Sequence, residues 1–276
     1  MAITAQDVNK LRQMTGAGMM DCKKALTEAN GDFEKAIELL RMKGQKVSAS
    51  RADRETSEGV VFTKTNANST EGIILAFTCE TDFVAKNDGF VALGNAITDV
   101  AFAKKPASID ALKALPLDGL TIGEKIIEMT GKIGEKLEIT ALEIVSGEAV
   151  IPYTHSNQKL GVLVTMKNVN GQNVIEAGKD VAMQIAAMNP VAVDKDGVDA
   201  SIIEKEIEIG KEQARQEGKA EEMLEKIAVG KLNKFFAENT LLSQKFVKDN
   251  SVSIAQYLDK VSKGLTVANF KRIAIG

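Results

Sequence analysis

A chain of 276 residues, 44% apolar and 26% charged, is long enough for two or three folding units with buried cores. With no Trp, two Tyr and an aromatic fraction of 4%, those cores have to be aliphatic. The formal net charge of −3 excludes the broad positive field of a nucleic-acid binder, so no direct DNA binding is expected. Two cysteines far apart, Cys22 and Cys79, with one histidine and no CxxC pair, exclude a zinc site and read as small buried hydrophobes in a reducing compartment.

The start, Met1-Ala2-Ile3-Thr4, shows no basic, apolar leader. No apolar run approaches a membrane span, so a cytoplasmic protein without membrane partners is expected. Residues 1–44 predict a three-helix module. Thr4 and Asp7 are spaced as N-cap and N3, with Ile3 and Val8 as a hydrophobic staple. Val8, Leu11 and Met14 give the first buried face, and Thr15-Gly16-Ala17-Gly18 ends that helix. Cys22, Ala25, Leu26 and Ala29 line the second, from Met19 to Ala29. Asp32 caps the third, Ala36, Ile37 and Leu40 face inward, and Gly44 is expected to stop it. So small a unit is marginal alone and reads as a docking module tethered by the polar segment 45–56.

The run Gly72-Ile73-Ile74-Leu75-Ala76-Phe77 predicts a buried strand, and Phe90 to Ala103 an amphipathic helix. Between them lies Cys79-Glu80-Thr81-Asp82-Phe83-Val84-Ala85-Lys86-Asn87. Two readings fit its acid–aromatic pair. Asp82 caps the helix and Phe83 packs back onto the sheet, or the ring is presented outward to enter another molecule.

An internal repeat organises the remainder. Glu58-Gly59-Val60-Val61-Phe62-Thr63 is echoed by Glu148-Ala149-Val150-Ile151-Pro152-Tyr153-Thr154, and Glu71 to Ala76 by Leu160 to Thr165. A helix follows each pair, Phe90 to Ala103 and Val174 to Ala187. Thr121/Glu124 and Ser253/Gln256 are matching capping boxes, and the halves close with strands at Leu137 to Val145 and Val267 to Ile275. The fold class expected is therefore α+β. Its duplicated core consists of two antiparallel three-stranded subdomains with helices, at 57–146 and at 147–195 with 236–276. The first half alone carries the acid–aromatic pair; the second has Met166-Lys167-Asn168-Val169-Asn170-Gly171 there. Packing essential to the fold is expected in both copies, a functional graft in one.

The second half is interrupted at 196–235. Ile203, Ile207, Gly210 and Ala214 repeat at 4-3-4 spacing, Gly218 breaks the helix, and Ala220, Leu224 and Ile227 resume it. This predicts an inserted antiparallel helical hairpin, read either as a solvated charged pair of helices or as an arm for a protein, an RNA or a second copy (a homodimer).

No P-loop, GxGxxG, GxSxG or HExxH appears, and no cofactor is implied. A general-base reading would couple His155, in the turn His155-Ser156-Asn157-Gln158, to Asp82, but no nucleophile accompanies them. An enzyme is not expected.

The residues Thr15-Gly16-Ala17-Gly18-Met19-Met20-Asp21-Cys22-Lys23-Lys24-Ala25-Leu26, with Gly31-Asp32 and Ala36-Ile37, closely resemble the N-terminal signature of the bacterial elongation factor Ts family. Cys79 to Asn87 resembles that family's second signature, and the resemblance spans essentially the whole chain. It implies a UBA-like first module and a guanine-nucleotide exchange factor whose partner is elongation factor Tu. By the same resemblance Asp82 and Phe83 intrude near the partner's magnesium site, with Thr81 and Val84 holding the turn. Met19, Met20 and Lys23 dock on the partner's nucleotide domain. His155 touches another of its domains, and Phe246-Val247 gives a further contact, although Lys248 stands where an apolar residue is common. The alternative function is a binding adaptor or holdase of the translation machinery.

Overall fold

The computed structural model describes residues 3–276; the Met1-Ala2 start, to which the expectation of no leader refers, lies outside the described residues. The chain gathers into two units. One holds the residues up to Phe62, Leu75–Leu142 and Ala274–Gly276, and the other Thr63–Ile74 and Glu143–Ile273.

The first unit opens with α1 (Ala5–Thr15), α2 (Met19–Glu28) and α3 (Phe33–Ser50). Thr4 and Asp7 form a capping box, the Thr4 N–H donating to Asp7 Oδ2 at 3.0 Å and the Asp7 N–H to Thr4 Oγ1 at 3.2 Å. Gly16 closes α1 in the left-handed region, φ +66°. Val8, Leu11, Cys22, Ala25, Leu26, Ala29 and Ala36 make the small core, with Ile3, Ile37 and Leu40 against it. Met14 departs from expectation and is 56% exposed. Beside it Thr15 is half-buried, its hydroxyl donating back to Leu11 O at 2.8 Å within the helix.

Gly44 does not end α3. A mid-helix glycine costs about 1 kcal/mol relative to alanine, a modest penalty beside the packing this one permits. A Cβ built on Gly131 would lie 2.5 Å from Gly44 Cα, so the two glycines let α3 and α7 (introduced below) touch backbone to backbone. The segment 45–56 is consequently helical as far as Ser50. Beyond it, Thr78 Oγ1 donates to Thr56 Oγ1 at 2.9 Å.

There follow β1 (Glu58–Thr65), β2 (Glu71–Cys79), α4 (Asp82–Ala85), α5 (Asp88–Lys104), α6 (Ile109–Lys113), a small hairpin of β3 (Pro116–Leu117) and β4 (Leu120–Thr121), α7 (Ile122–Ile133) and β5 (Glu138–Ser146). The sheet runs β1-β2-β5. Its middle strand β2 is buried from Gly72 to Cys79, as its unbroken apolar run requires. The Phe77 and Phe90 rings stack at 4.5 Å, fixing α5 to the sheet.

The second unit repeats the plan with β6 (Ala149–Thr154), β7 (Leu160–Lys167) and α8 (Ile175–Met188). After the helical insertion of α9 (Ala200–Gln216) and α10 (Glu221–Asn239) come β8 (Lys245–Phe246), β9 (Asp249–Ser253), α11 (Ile254–Val261) and β10 (Thr266–Ala274). Here the order is β10-β7-β6, with β6 and β7 antiparallel in the register Ile151↔Val164. The duplication extends to detail. Capping boxes start α7 and α11, and Gly94 of α5 and Gly178 of α8 lie directly against Phe62 of β1 and Ile151 of β6.

Gly210 and Ala214 of α9 and Leu224 and Ala228 of α10 form the seam of the insertion, and Gly218 turns the chain at φ +74°. Its stem is tied: the Val191 N–H donates to Asn239 O, Leu241 to Ala192 O and Leu242 to Val193 O, each at 2.9 Å. Among the described residues no helix is long and apolar enough to cross a membrane.

Candidate functional site

The strand β2 ends at Cys79, whose thiol donates to Thr81 O at 3.2 Å, and the chain then makes the single turn α4 before α5. Asn87 starts α5, its side-chain oxygen accepting from the Gly89 N–H at 2.9 Å. Asp82 therefore does not cap α5. Thr81 occupies the N-cap position of α4 instead.

Two carboxylates hold this turn from behind. Glu135, in the turn after α7, accepts from both the N–H and the hydroxyl of Thr81, at 3.0 and 2.7 Å. Glu80 accepts from Arg51 Nη1 at 2.9 and 3.1 Å and from the Lys136 N–H at 2.7 Å. Val84 and Ala85 are buried beneath. Phe83 points the other way and is 82% exposed, the apolar side chain most open to water among the exposed large hydrophobics of the described residues. The ring therefore does not pack back onto the sheet. A large ring on so restrained a backbone has little conformational entropy left to lose on binding.

Beside it, Lys86 Nζ donates to Asp82 Oδ2 at 2.7 Å across one helical turn. That hydrogen bond holds the Asp82 carboxyl below the usual aspartate range and raises the Lys86 ammonium. With the folded pKa depressed, the stabilisation is present above the ordinary aspartate value and disappears as pH falls through the folded one. Replacing Lys86 by Gln should return the Asp82 titration upward toward its ordinary range, which carboxyl-carbon NMR would follow directly. An unmoved titration would show that Lys86 is not the cause.

The remaining expected contacts are distributed over both units. In the first, Met20 is 74% exposed at the start of α2, and Met19 and Lys23 are also exposed. Met14, expected inside, and Met42 of α3 are open as well, giving this module four exposed methionines. In the second, His155 is exposed in the β6–β7 turn, with its Nδ1 2.9 Å from the Tyr153 hydroxyl. Of the two residues of the acid–base reading, Asp82 bonds Lys86 and His155 bonds Tyr153, each within its own unit.

Phe246 lies differently from Val247. It is only 4% exposed, its ring stacked on Tyr257 at 4.4 Å, so its side chain belongs to the core of this unit. Val247 beside it is 50% exposed. Its N–H donates to the buried Gln184 Oε1 at 2.9 Å. Tyr257 OH and Lys248 Nζ both donate to Asp180, at 2.7 and 2.6 Å. Burial first, and then this bond to Asp180, raise the Tyr257 phenol well above its ordinary value.

Sequence reasoning did not find Arg51, Glu135, Gln184 or Asp180, because each acts through partners distant along the chain. A partial signal existed for Glu135, which follows the helix-stop Gly134, φ +83°.

Residues 80–276 match the family model described as Elongation factor TS. The chain is 59% identical over 276 residues to the elongation factor Ts of Amoebophilus asiaticus, covering 100% of both chains. It is 62% identical over 274 residues to that of Cytophaga hutchinsonii (99% of each) and 51% over 275 residues to that of Christiangramia forsetii (99% of each). With two-unit architecture, signature turn and full-length relatives in agreement, the chain belongs to the elongation factor Ts family.

Proposed function

We propose that this protein is a guanine-nucleotide exchange factor of translation elongation, acting in the cytoplasm on elongation factor Tu. It binds the GDP form, disturbs the partner's magnesium site and releases GDP so that GTP can enter. The observation that carries this reading is the exposed Phe83 ring on a turn fixed by Glu80 and Glu135. Magnesium demands near-ideal octahedral geometry, so a rigid wedge displacing its surroundings slightly has a large effect.

Magnitudes set a limit on the wedge. A thousandfold faster release needs the barrier to fall by about 4 kcal/mol, whereas burying one Phe supplies roughly 1.5–3. The difference falls to docking through Met19, Met20 and Lys23 on the first module and through His155 and Val247 on the second unit. No covalent bond is made or broken, so the protein is not an enzyme in the chemical sense. Linkage then requires that nucleotide weaken the complex by the same factor by which the protein weakens nucleotide binding.

The test is release of a fluorescent GDP analogue from elongation factor Tu, followed with and without this protein, together with capture of the complex in rising GDP. Accelerated release and a complex dissolved by GDP are expected. Stable capture with unchanged release would favour the adaptor reading instead.

A further inference from the structure

Arg51 and Phe83 lie at the two ends of one continuous set of contacts inside the first unit. Arg51 is the C-cap residue of α3, and its Nη1 reaches both oxygens of Glu80, at 2.9 and 3.1 Å. The same carboxylate accepts from the Lys136 N–H at 2.7 Å, and Glu80 directly precedes the N-cap Thr81 of α4. The turn's other anchor, Glu135, follows α7. Its two restraints thus come from α3 and α7, the helices that meet at Gly44 and Gly131.

We infer that Arg51 is a positioning residue for nucleotide exchange. Through Glu80 it fixes the turn 81–85 to the helix that carries the docking module, so that docking delivers Phe83 in one orientation. This rests on the exchange reading above. The pair is half to largely withdrawn from water, with the two side chains 35% and 14% accessible. Removing one partner of such a pair disturbs more than the pair's own net worth, because the other charge stays behind unsatisfied.

Two measurements test it. In the free protein, the Ala85 and Lys86 amides donate to Thr81 O and Asp82 O at 3.2 Å and report directly on the order of α4. Arg51→Gln and Glu80→Gln should each speed their hydrogen exchange about tenfold, with the double variant no faster than either single one. With elongation factor Tu·GDP, Arg51→Gln should lower the maximal stimulated release about fivefold while shifting the half-saturating concentration less than about twofold. Arg51→Lys should recover most of that maximal rate, because a single donor nitrogen serves both carboxylate oxygens. It also carries the test if the Gln variant fails to fold.

Unchanged amide exchange, a change confined to half-saturation, or no recovery by lysine would overturn the inference. If the unmodified protein fails to stimulate release, the exchange reading falls. The amide measurement then decides by itself whether Arg51 orders the turn.

Discussion

Phe83→Ala is expected to slow the maximal stimulated release of GDP by about 10- to 100-fold while leaving thermal stability unchanged. The size follows from the roughly 1.5–3 kcal/mol gained when one Phe side chain leaves water, at about 1.4 kcal/mol for each factor of ten. The absence of a stability effect follows from the ring's 82% exposure, since truncation there opens no cavity. The backbone of the turn keeps its anchors, because Thr81, Val84 and Ala85 are untouched. Stopped-flow release of a fluorescent GDP analogue at saturating factor, paired with a melting curve, separates these effects. Release at the unaltered rate would remove Phe83 from the mechanism.

Gly131→Ala is expected to destabilise the first unit by about 2 kcal/mol, the difference between about 3 for overpacking at the upper end of its range and the roughly 1 that alanine gains in helix propensity. That corresponds to a fall in melting temperature of roughly 4–8 °C for a unit of this size. The new Cβ would meet Gly44 Cα at 2.5 Å, and neither atom belongs to a side chain that can rotate away, so the helices must separate. The reciprocal change provides the control. A Cβ on Gly44 meets Ile127 O at 3.3 Å and Gly131 Cα at 3.8 Å, a mild crowding offset by the roughly 1 kcal/mol that alanine gains in helix propensity. Calorimetry should therefore find Gly44→Ala near neutral and Gly131→Ala costly. Equal effects would mean that the crossing is looser than described.

The parts of this fold that were legible in the sequence are those written in local pattern. The three capping boxes, at Thr4, Thr121 and Ser253, each need only two residues three apart, and all three are formed. The duplicated strands could be found because each copy repeats the same apolar run, and the strand orders β1-β2-β5 and β10-β7-β6 follow that repeat. Failures occurred where distant contacts decide the outcome. Gly44 resembles a helix stop until Gly131 is placed against it. Met14 fits the apolar spacing of α1 and is nevertheless exposed. Phe246 and Val247 are indistinguishable as neighbours, and the first is covered by the core it joins, the Tyr257 ring included. The two-residue strands of the β3–β4 hairpin are too short to show a period at all. At the site itself the motif supplied Phe83 and Thr81. Glu135, which restrains Thr81, and Arg51, which holds the motif's own Glu80, lie 54 and 29 residues from those partners.

The bonds joining 191–193 to 239–242 have a thermodynamic consequence for the arm they close. Bringing the ends of a long segment together is ordinarily an entropic burden that grows with its length. Here that closure is met at the root, independently of what lies beyond. The two helices can therefore fray or reform as a local cooperative unit while the bonds at the root hold. Growth or loss of whole helical turns at the Gly218 tip leaves the root as it is. Changes in the arm's length are therefore expected to cost the rest of the second unit little.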